Sequence, residues 1–427
     1  MVFHNTRSFA QELDRTDPLR HFRDRFFIPE REGNALIYFC GNSLGLQPKA
    51  VREAADAELT TWQHLGVEGW FDGETPWLSY HRTCKEALGQ IVGAEPVEVC
   101  PMNALTVNLH LLLASFYRPT PTKYKILTIA GDFPSDQYAL ETHAAFRSYP
   151  PADAIIEVSP RTDGLIHTSD IQRAIAEHCD SLALIWLSGL NYYTGQVYNM
   201  AVIAETARHY GIPVGFDLAH AIGNVPLQLH DWGVDFATWC SYKYLNGGPG
   251  AISGIFVHQK HHDRNLPRLA GWWGYQEETR FAMTKGFVPM HGADGWQLST
   301  PNIVALAMHR AALSITAEAG MPQLRRKSEQ LTGFLEHVLL EAGFGRSDEA
   351  GSLPYQILTP ADPNQRGCQL SLLVRDNGKA LFDRLASGGL IGDWREPNCI
   401  RLAPNPLYNT FDEVWQVGEA LGRVSIG

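Results

Sequence analysis

The chain has 427 residues, of which 44% are apolar and 19% charged, a composition typical of a globular protein with a sizeable core. Its 35 basic and 46 acidic residues give a net charge of −11, which argues against nucleic acid or an anionic membrane as a partner. Seven cysteines without a C-x-x-C pair, and an N-terminus without an apolar leader, predict a soluble protein of the reducing cytoplasm.

The first 60 residues follow no single pattern and contain a turn, FCGNSLGLQP at 39–48, which we expect at a domain boundary. From about residue 61 to 310, short apolar runs alternate with amphipathic segments. The runs read as buried strands: KILTIA (125–130), AIIEVS (154–159), LALIWLS (182–188), IPVGFD (212–217), DFATWCS (235–241) and AISGIFVH (251–258). The segments between them read as helices: SDQYALETHAAFRS, TSDIQRAIAEHCD and MAVIAETARHYG. This alternation predicts a three-layer α/β domain with a mostly parallel sheet.

The pattern changes after Pro301. Two long helical stretches are followed by three short strands, PYQILT, CQLSLLV and CIRLAP, and by a final helix from about Thr410. This arrangement predicts a smaller α+β domain at 311–427, against which the segment 1–60 packs.

Polar side chains follow the ends of several predicted strands, and in open α/β sheets ligands bind beyond the carboxyl ends of the strands. The residues in question are Phe133, Ser135 and Asp136 after the first strand, Ser188, Asp217 with His220, and Tyr242 with Lys243. Taken singly, each has an ordinary structural role, such as a helix cap for Ser135 or a core histidine for His220. Their recurrence at successive strand ends predicts one shared site.

Lys243 lies between two tyrosines in SYKYLNGG, at the end of an apolar run where burial is expected. A lysine that can condense with an aldehyde, together with a buried carboxylate such as Asp217, suggests pyridoxal phosphate. The carboxylate would hold the pyridine nitrogen protonated, and Phe133 could stack on the ring. Ala104, Leu105 and Thr106 open an apolar helix whose N-terminus could hold the phosphate.

The segment FDLAHAIGNVPLQLHDWGVDFATWCSYKYLNGGPG resembles the core of the fold-type-I pyridoxal-phosphate enzymes. Within that superfamily the chain is similar to the kynureninases along nearly its whole length. The matching motifs are GNSLGLQP (41–48), MNALTVNLHLLL (102–113), FPSDQYA (133–139), YYTGQ (192–196) and IRLAPNPLYN (400–409).

The resemblance implies a role for each matching residue. Lys243 would bond to the cofactor aldehyde, Asp217 would pair with the pyridine nitrogen, and Tyr242 would act as a general acid. The remaining cofactor-binding positions would be Leu105, Thr106, Phe133, Ser135, Asp136, Ser188 and His220, with Trp272 and Thr300 supplied by the partner chain of a homodimer. Arg401 would bind the substrate carboxylate, and Ser43 and Trp70 would lie on the substrate side. No metal ligand is implied.

The family hydrolyses the Cβ–Cγ bond of kynurenine to anthranilate and L-alanine, in tryptophan catabolism and the branch leading to pyridine nucleotides. Animal members carry His and Asn at the positions of Trp70 and Thr300 and favour 3-hydroxykynurenine. An indole and a hydroxyl accommodate an extra ring hydroxyl less well. We therefore expect L-kynurenine to be preferred here.

Three other functions fit the sequence less well. A cysteine desulfurase carries a histidine before its lysine and a reactive cysteine on a loop, whereas Tyr242 precedes Lys243 and Cys368 borders a strand-like run. A metal-dependent hydrolase would suit the seventeen histidines, but the chain has no H-E-x-x-H motif, and HQKHH (258–262) lies in a charged segment. A non-catalytic binding protein would be expected to lack Lys243, Asp217 or Arg401.

Overall fold

The computed structural model describes residues 1–346 and 355–422. Its strands are β1 (Glu30–Arg31), β2 (Asn34–Ala35), β3 (Ile37–Tyr38), β4 (Val99–Pro101), β5 (Lys125–Ile129), β6 (Ile155–Val158), β7 (Leu182–Ser188), β8 (Val214–Asp217), β9 (Phe236–Trp239), β10 (Gly254–Val257), β11 (Gly345–Arg346), β12 (Tyr355–Ile357), β13 (Leu370–Val374), β14 (Leu390–Ile391), β15 (Asp393–Arg395) and β16 (Cys399–Leu402). Its α-helices are α1 (Arg7–Thr16), α2 (Ala50–Leu65), α3 (Lys85–Val92), α4 (Leu105–Phe116), α5 (Pro134–Phe146), α6 (Pro151–Ala154), α7 (Thr168–His178), α8 (Met200–His209), α9 (Leu229–Trp232), α10 (Ile303–Ala319), α11 (Met321–Glu341), α12 (Gly378–Ser387) and α13 (Phe411–Gly422).

The larger sheet has seven strands in the order β4-β10-β9-β8-β7-β5-β6. The pairs from β9 to β6 are parallel, whereas β10 runs antiparallel to both of its neighbours. The carboxyl ends of β5, β7, β8 and β9 therefore meet at one edge. The mostly parallel sheet predicted from the sequence is confirmed.

The central strands are buried on both faces because helices cover both sides of the sheet. All seven residues of β7 are buried, and the strand consists of apolar side chains up to its last residue, Ser188. One core joins the sheet to α3, α7, α8 and α10, and a second core joins the opposite face to α4 and α5. The three-layer arrangement follows from strands that are apolar on both faces. We call this sheet and its helices the large unit.

A separate core surrounds the five-stranded sheet β11-β12-β13-β16-β15. Helices α11, α12 and α13 pack on it, and so does α1 from the N-terminal segment. The predicted strand at 354–359 is present as Tyr355–Ile357, and its first residue lies outside the described residues. We call this sheet and its helices the small unit.

The chain passes between the two units at two places. Strand β3 pairs with β14 of the small unit, and α2, which follows it, packs on α10 of the large unit. The chain passes back to the small unit at Gly320, which adopts φ +72 between α10 and α11. A positive φ favours glycine because side chains clash there.

Candidate functional site

A pocket lies where the carboxyl ends of β5, β7 and β8 meet the segment that follows β9. Nine of the residues predicted from the sequence line it: Leu105, Thr106, Phe133, Ser135, Ser188, Asp217, His220, Tyr242 and Lys243. The topology brings these residues together because each follows a strand end or opens a helix at the same edge.

Lys243 is the cation in the pocket wall, and its side chain is buried. Its Nζ lies 2.9 Å from Nε2 of His220, and about 6 Å from the ring centres of Phe133 (5.9 Å) and Tyr242 (5.8 Å). Burial and the charge of Lys243 hold the pKa of His220 well below its ordinary value. The imidazole is therefore neutral and accepts a hydrogen bond from the amine.

Two buried carboxylates lie at the back of the pocket: Asp217 on β8 is part of the wall, and Asp136 on α5 is not. Oδ1 of Asp217 accepts a hydrogen bond from the Ala219 amide at 2.7 Å, and Oδ2 of Asp136 accepts one from Nε1 of Trp186 at 3.2 Å. Burial and the neighbouring carboxylates, chiefly Asp217, raise the pKa of Asp136 well above its usual range. Burial likewise raises the pKa of Asp217, and the charge of Lys243 partly offsets this effect.

The N-terminus of α4 forms the opposite wall. Ala104 precedes the helix in an extended conformation, and Leu105 and Thr106 open it. The first amides of a helix have no partner within it, and they carry the positive end of its dipole. Oγ1 of Thr106 lies 2.8 Å from Oγ of Ser135, which adds two hydroxyl groups to this wall. The wall is suited to an anion.

Arg401 lies on β16, completely buried, and its guanidinium contacts three parts of the chain. Nε and Nη2 donate to the two carboxylate oxygens of Asp393 at 3.1 and 2.7 Å. Nη1 donates to the Tyr192 carbonyl at 2.7 Å, and Nη2 also reaches Oγ of Ser43 at 3.3 Å. Tyr192 lines the pocket, so Arg401 faces the site from the small unit.

Six predicted site residues do not line this pocket in the single chain: Asp136, Ser43 and Arg401, described above, and Trp70, Trp272 and Thr300. Trp70 packs against Trp77 and Trp273, with ring centres 5.5 Å away in each case. Trp272 and Thr300 are exposed and line two separate cavities.

The sequence prediction missed several residues of the site, including two polar residues of the pocket wall and the carboxylate that pairs with Arg401. Asp132 and Tyr192 line the pocket, and Asp393 pairs with Arg401. Asp132 could have been found, because it lies in the same strand-end segment as Phe133. Asp393 could not, because only the pairing of β15 with β16 places it opposite Arg401.

A cluster of metal-ligand types, Glu98 with His230 and His258, lies at the far edge of the large sheet, before β4 and after β10. The carboxylate of Glu98 already accepts hydrogen bonds from the amides of Glu95 and Gln259 and contacts Nδ1 of His230 at 2.9 Å. These contacts account for the cluster as a buried hydrogen-bond network.

Within 1–346 and 355–422, the helices all lack either the length or the apolar character that crossing a bilayer requires.

Family models match two parts of the chain. The model described as aminotransferase class-V matches residues 37–351, and that of the kynureninase C-terminal domain matches residues 324–421. A kynureninase from Flavobacterium psychrophilum is 49% identical over 99% of both chains, and one from Xanthomonas campestris pv. campestris strain B100 is 52% identical over 97% of both.

Solved structures share the fold at much lower identity. A cysteine desulfurase from Thermococcus onnurineus is 16% identical, with a TM-score of 0.75 over 92% of this chain and 95% of that one. A lysine mutant of C-DES, described with glycine covalently linked to its PLP cofactor, is 17% identical, with a TM-score of 0.75 over 91% and 96%. At these identities the likeness shows the fold alone, so it does not favour a desulfurase.

Proposed function

This chain belongs to the kynureninase family, and on that premise we propose that it is a pyridoxal-phosphate-dependent hydrolase. It cleaves the Cβ–Cγ bond of L-kynurenine to give anthranilate and L-alanine. The observation that carries the proposal is the buried amine of Lys243, which faces a neutral imidazole 2.9 Å away in a pocket backed by carboxylates.

The residues of the pocket fit pyridoxal phosphate. The α4 N-terminus with Thr106 and Ser135 suits the phosphate, and the acids Asp217 and Asp136 suit a protonated ring nitrogen. Oγ of Ser188 and Nδ1 of His220 are buried without a hydrogen-bond partner among the described residues, and a polar ligand would satisfy such groups. When bound, the cofactor supplies an electron sink for the bonds broken on the substrate.

Two side chains are placed to move protons. In its neutral amine form, Nζ of Lys243, oriented by Nε2 of His220, takes the proton from the substrate α-carbon. Burial raises the pKa of the Tyr242 hydroxyl, which therefore stays protonated near neutral pH. Its O–H serves as the general acid that delivers a proton to the alanine side of the cleaved bond.

Arg401 and Ser43, whose Nη2 and Oγ lie 3.3 Å apart, bind the substrate carboxylate, because a guanidinium cation and a hydroxyl both donate hydrogen bonds to a carboxylate. Trp70 and Thr300 limit the space for a ring hydroxyl, so L-kynurenine is preferred over 3-hydroxykynurenine. A comparison of kcat/KM for the two substrates tests this preference, and a higher value for the hydroxylated substrate would contradict it.

A homodimer completes the site, and Trp272 and Thr300 of one protomer reach the pocket of its partner. This assignment is supported by the exposed apolar side chains around Trp272, namely Leu269, Phe281, Met283, Phe287 and Val288. A surface of this kind is typical of a protein interface. The free cysteines support a cytoplasmic location.

Absorbance spectroscopy with product detection tests the function. The purified protein with pyridoxal phosphate should absorb in the visible, and L-kynurenine should yield fluorescent anthranilate. The variant Lys243→Ala should lose both the bound cofactor's visible band and turnover. Turnover by Lys243→Ala, or a wild-type protein that stays colourless with excess cofactor, would refute the proposal.

A further inference from the structure

Asp132 is a buried carboxylate of the pocket that the roles described above do not use. It lies between β5 and α5 and is 2% exposed. Oδ1 accepts a hydrogen bond from the Phe133 amide at 2.9 Å, and Oδ2 accepts one from the Ser188 amide at 3.1 Å. The carboxylate therefore joins the start of α5 to the end of β7.

The charges around Asp132 are mostly of its own sign. Its hydrogen bonds come from neutral amides, and the carboxylates of Asp217 and Asp136 lie close enough to interact with it. Lys243 in the same pocket donates to His220, and the buried phenol of Tyr198 also faces Asp132. Burial raises the pKa of Asp132 to about 6.

A site lined by buried acids suits a positively charged ligand. Asp132 and Asp217 line the pocket together with one lysine, and the hydrogen bonds to Asp132 come from neutral amides that leave its charge in place. Negative charge held in a poorly solvated pocket is unfavourable by itself and becomes favourable next to a cation. The protonated pyridine ring assigned under the proposed function is such a cation.

We propose that Asp132 is a positioning residue for the cofactor, which fixes the spacing of Phe133 and Ser188 and favours the cationic form of the bound ring. This inference rests on the proposed function. It assigns to Asp132 a task separate from the pairing of Asp217 with the ring nitrogen.

The pH dependence of stability separates this role from a structural one. A folded pKa above the ordinary value of about 3.9 means that the folded protein binds the extra proton. Asp132 therefore lowers the stability of the cofactor-free protein as pH rises through about 6. Asp132→Asn carries no charge, so its unfolding midpoint should rise relative to wild type between pH 5 and pH 7.5. Asp217, Asp136, Lys243 and Tyr198 are present in both proteins, so this difference reports on Asp132.

The experiment compares wild type, Asp132→Asn, Asp132→Glu and the exposed control Asp24→Asn. Cofactor-free proteins are titrated with pyridoxal phosphate at pH 7.5, and their unfolding midpoints are measured from pH 5 to 7.5. We expect Asp132→Asn to bind the cofactor about tenfold more weakly, as for a charge interaction of about one pKa unit. Asp132→Glu should keep the wild-type pH dependence of the unfolding midpoint. It should bind pyridoxal phosphate more weakly, because the longer side chain displaces the carboxylate oxygens that accept the two amide hydrogen bonds. Asp24→Asn should match wild type in both measurements.

A dissociation constant of Asp132→Asn within twofold of wild type would overturn the inference. A difference in unfolding midpoint between Asp132→Asn and wild type that stays constant from pH 5 to 7.5 would also overturn the inference. If Asp132→Asn does not fold, tight binding by Asp132→Glu would overturn the positioning role and weak binding would support it. Failure of wild type to bind pyridoxal phosphate would instead refute the proposed function, so the two failures are distinguishable.

Discussion

Replacement of Arg401 by lysine keeps the positive charge and removes the planar fork. The guanidinium donates to both oxygens of Asp393, to the Tyr192 carbonyl and to Ser43. An ammonium group has three donors on one atom and cannot reproduce this set while also binding a substrate carboxylate. A hydrogen bond to a charged group contributes about 1.5–3 kcal/mol. The loss of two such hydrogen bonds, each at the lower end of this range, costs about 3 kcal/mol. That loss corresponds to a decrease of about 150-fold in kcat/KM.

Anthranilate fluorescence at varied L-kynurenine concentration measures this effect. We expect Arg401→Lys to raise KM while the visible absorbance of the bound cofactor stays unchanged. The control is Arg395→Lys, since Arg395 also contacts Asp393, at 3.0 Å, but is 38% exposed. Exposed ion pairs contribute little, so its kcat/KM should change by less than about threefold. A kcat/KM for Arg401→Lys within threefold of wild type would refute the assignment of Arg401 to the substrate carboxylate.

Two further predictions concern stability. Lys327 and Asp17 form a buried ion pair at 2.7 Å, so Lys327→Met should lower the free energy of unfolding by about 3–5 kcal/mol in denaturant titrations. Adding Asp17→Asn should restore part of that loss, and no recovery would contradict the explanation. Burial alone would raise the pKa of Asp294, but the nearby His81 and the ammonium of Lys85, which donates to Oδ2 at 2.8 Å, hold this pKa well below its ordinary value. Asp294 therefore stabilises the fold above about pH 4 and loses this effect as pH falls. Asp294→Asn should be less stable than wild type at pH 7, with a gap that narrows towards pH 2; a constant gap would count against this.

Much of the large sheet could be predicted because its strands are apolar on both faces. LALIWLS is observed as β7 over Leu182–Ser188, with every residue buried. Strand β4 was not predicted, since Val99–Pro101 has three residues and includes a proline. It is a strand because β10 pairs with it, and that partner is distant in sequence.

Prediction of the site was limited in the same way, by contacts between residues that are distant in sequence. A common strand edge could be predicted from residues such as Asp217 and Lys243, because the ends of parallel strands meet. The environment of Asp132 depends on an amide of β7, and that of Arg401 depends on the register of an edge strand. Contacts set by tertiary pairing leave no local pattern in a single sequence. The chemical roles of these residues remain predictions that the experiments above test.

Among the described residues, the two passages of the chain between the units constrain how they can move. The small unit is joined covalently to the large one near 41–49 and at Gly320. Two covalent attachments favour rotation of the small unit about the line that joins them. Ser43 lies on one of these attachments, and Arg401 on β16 lies beside it, with Nη2 3.3 Å from Oγ of Ser43. Because Arg401 and Ser43 both lie near this attachment, such a rotation changes the distance between them little.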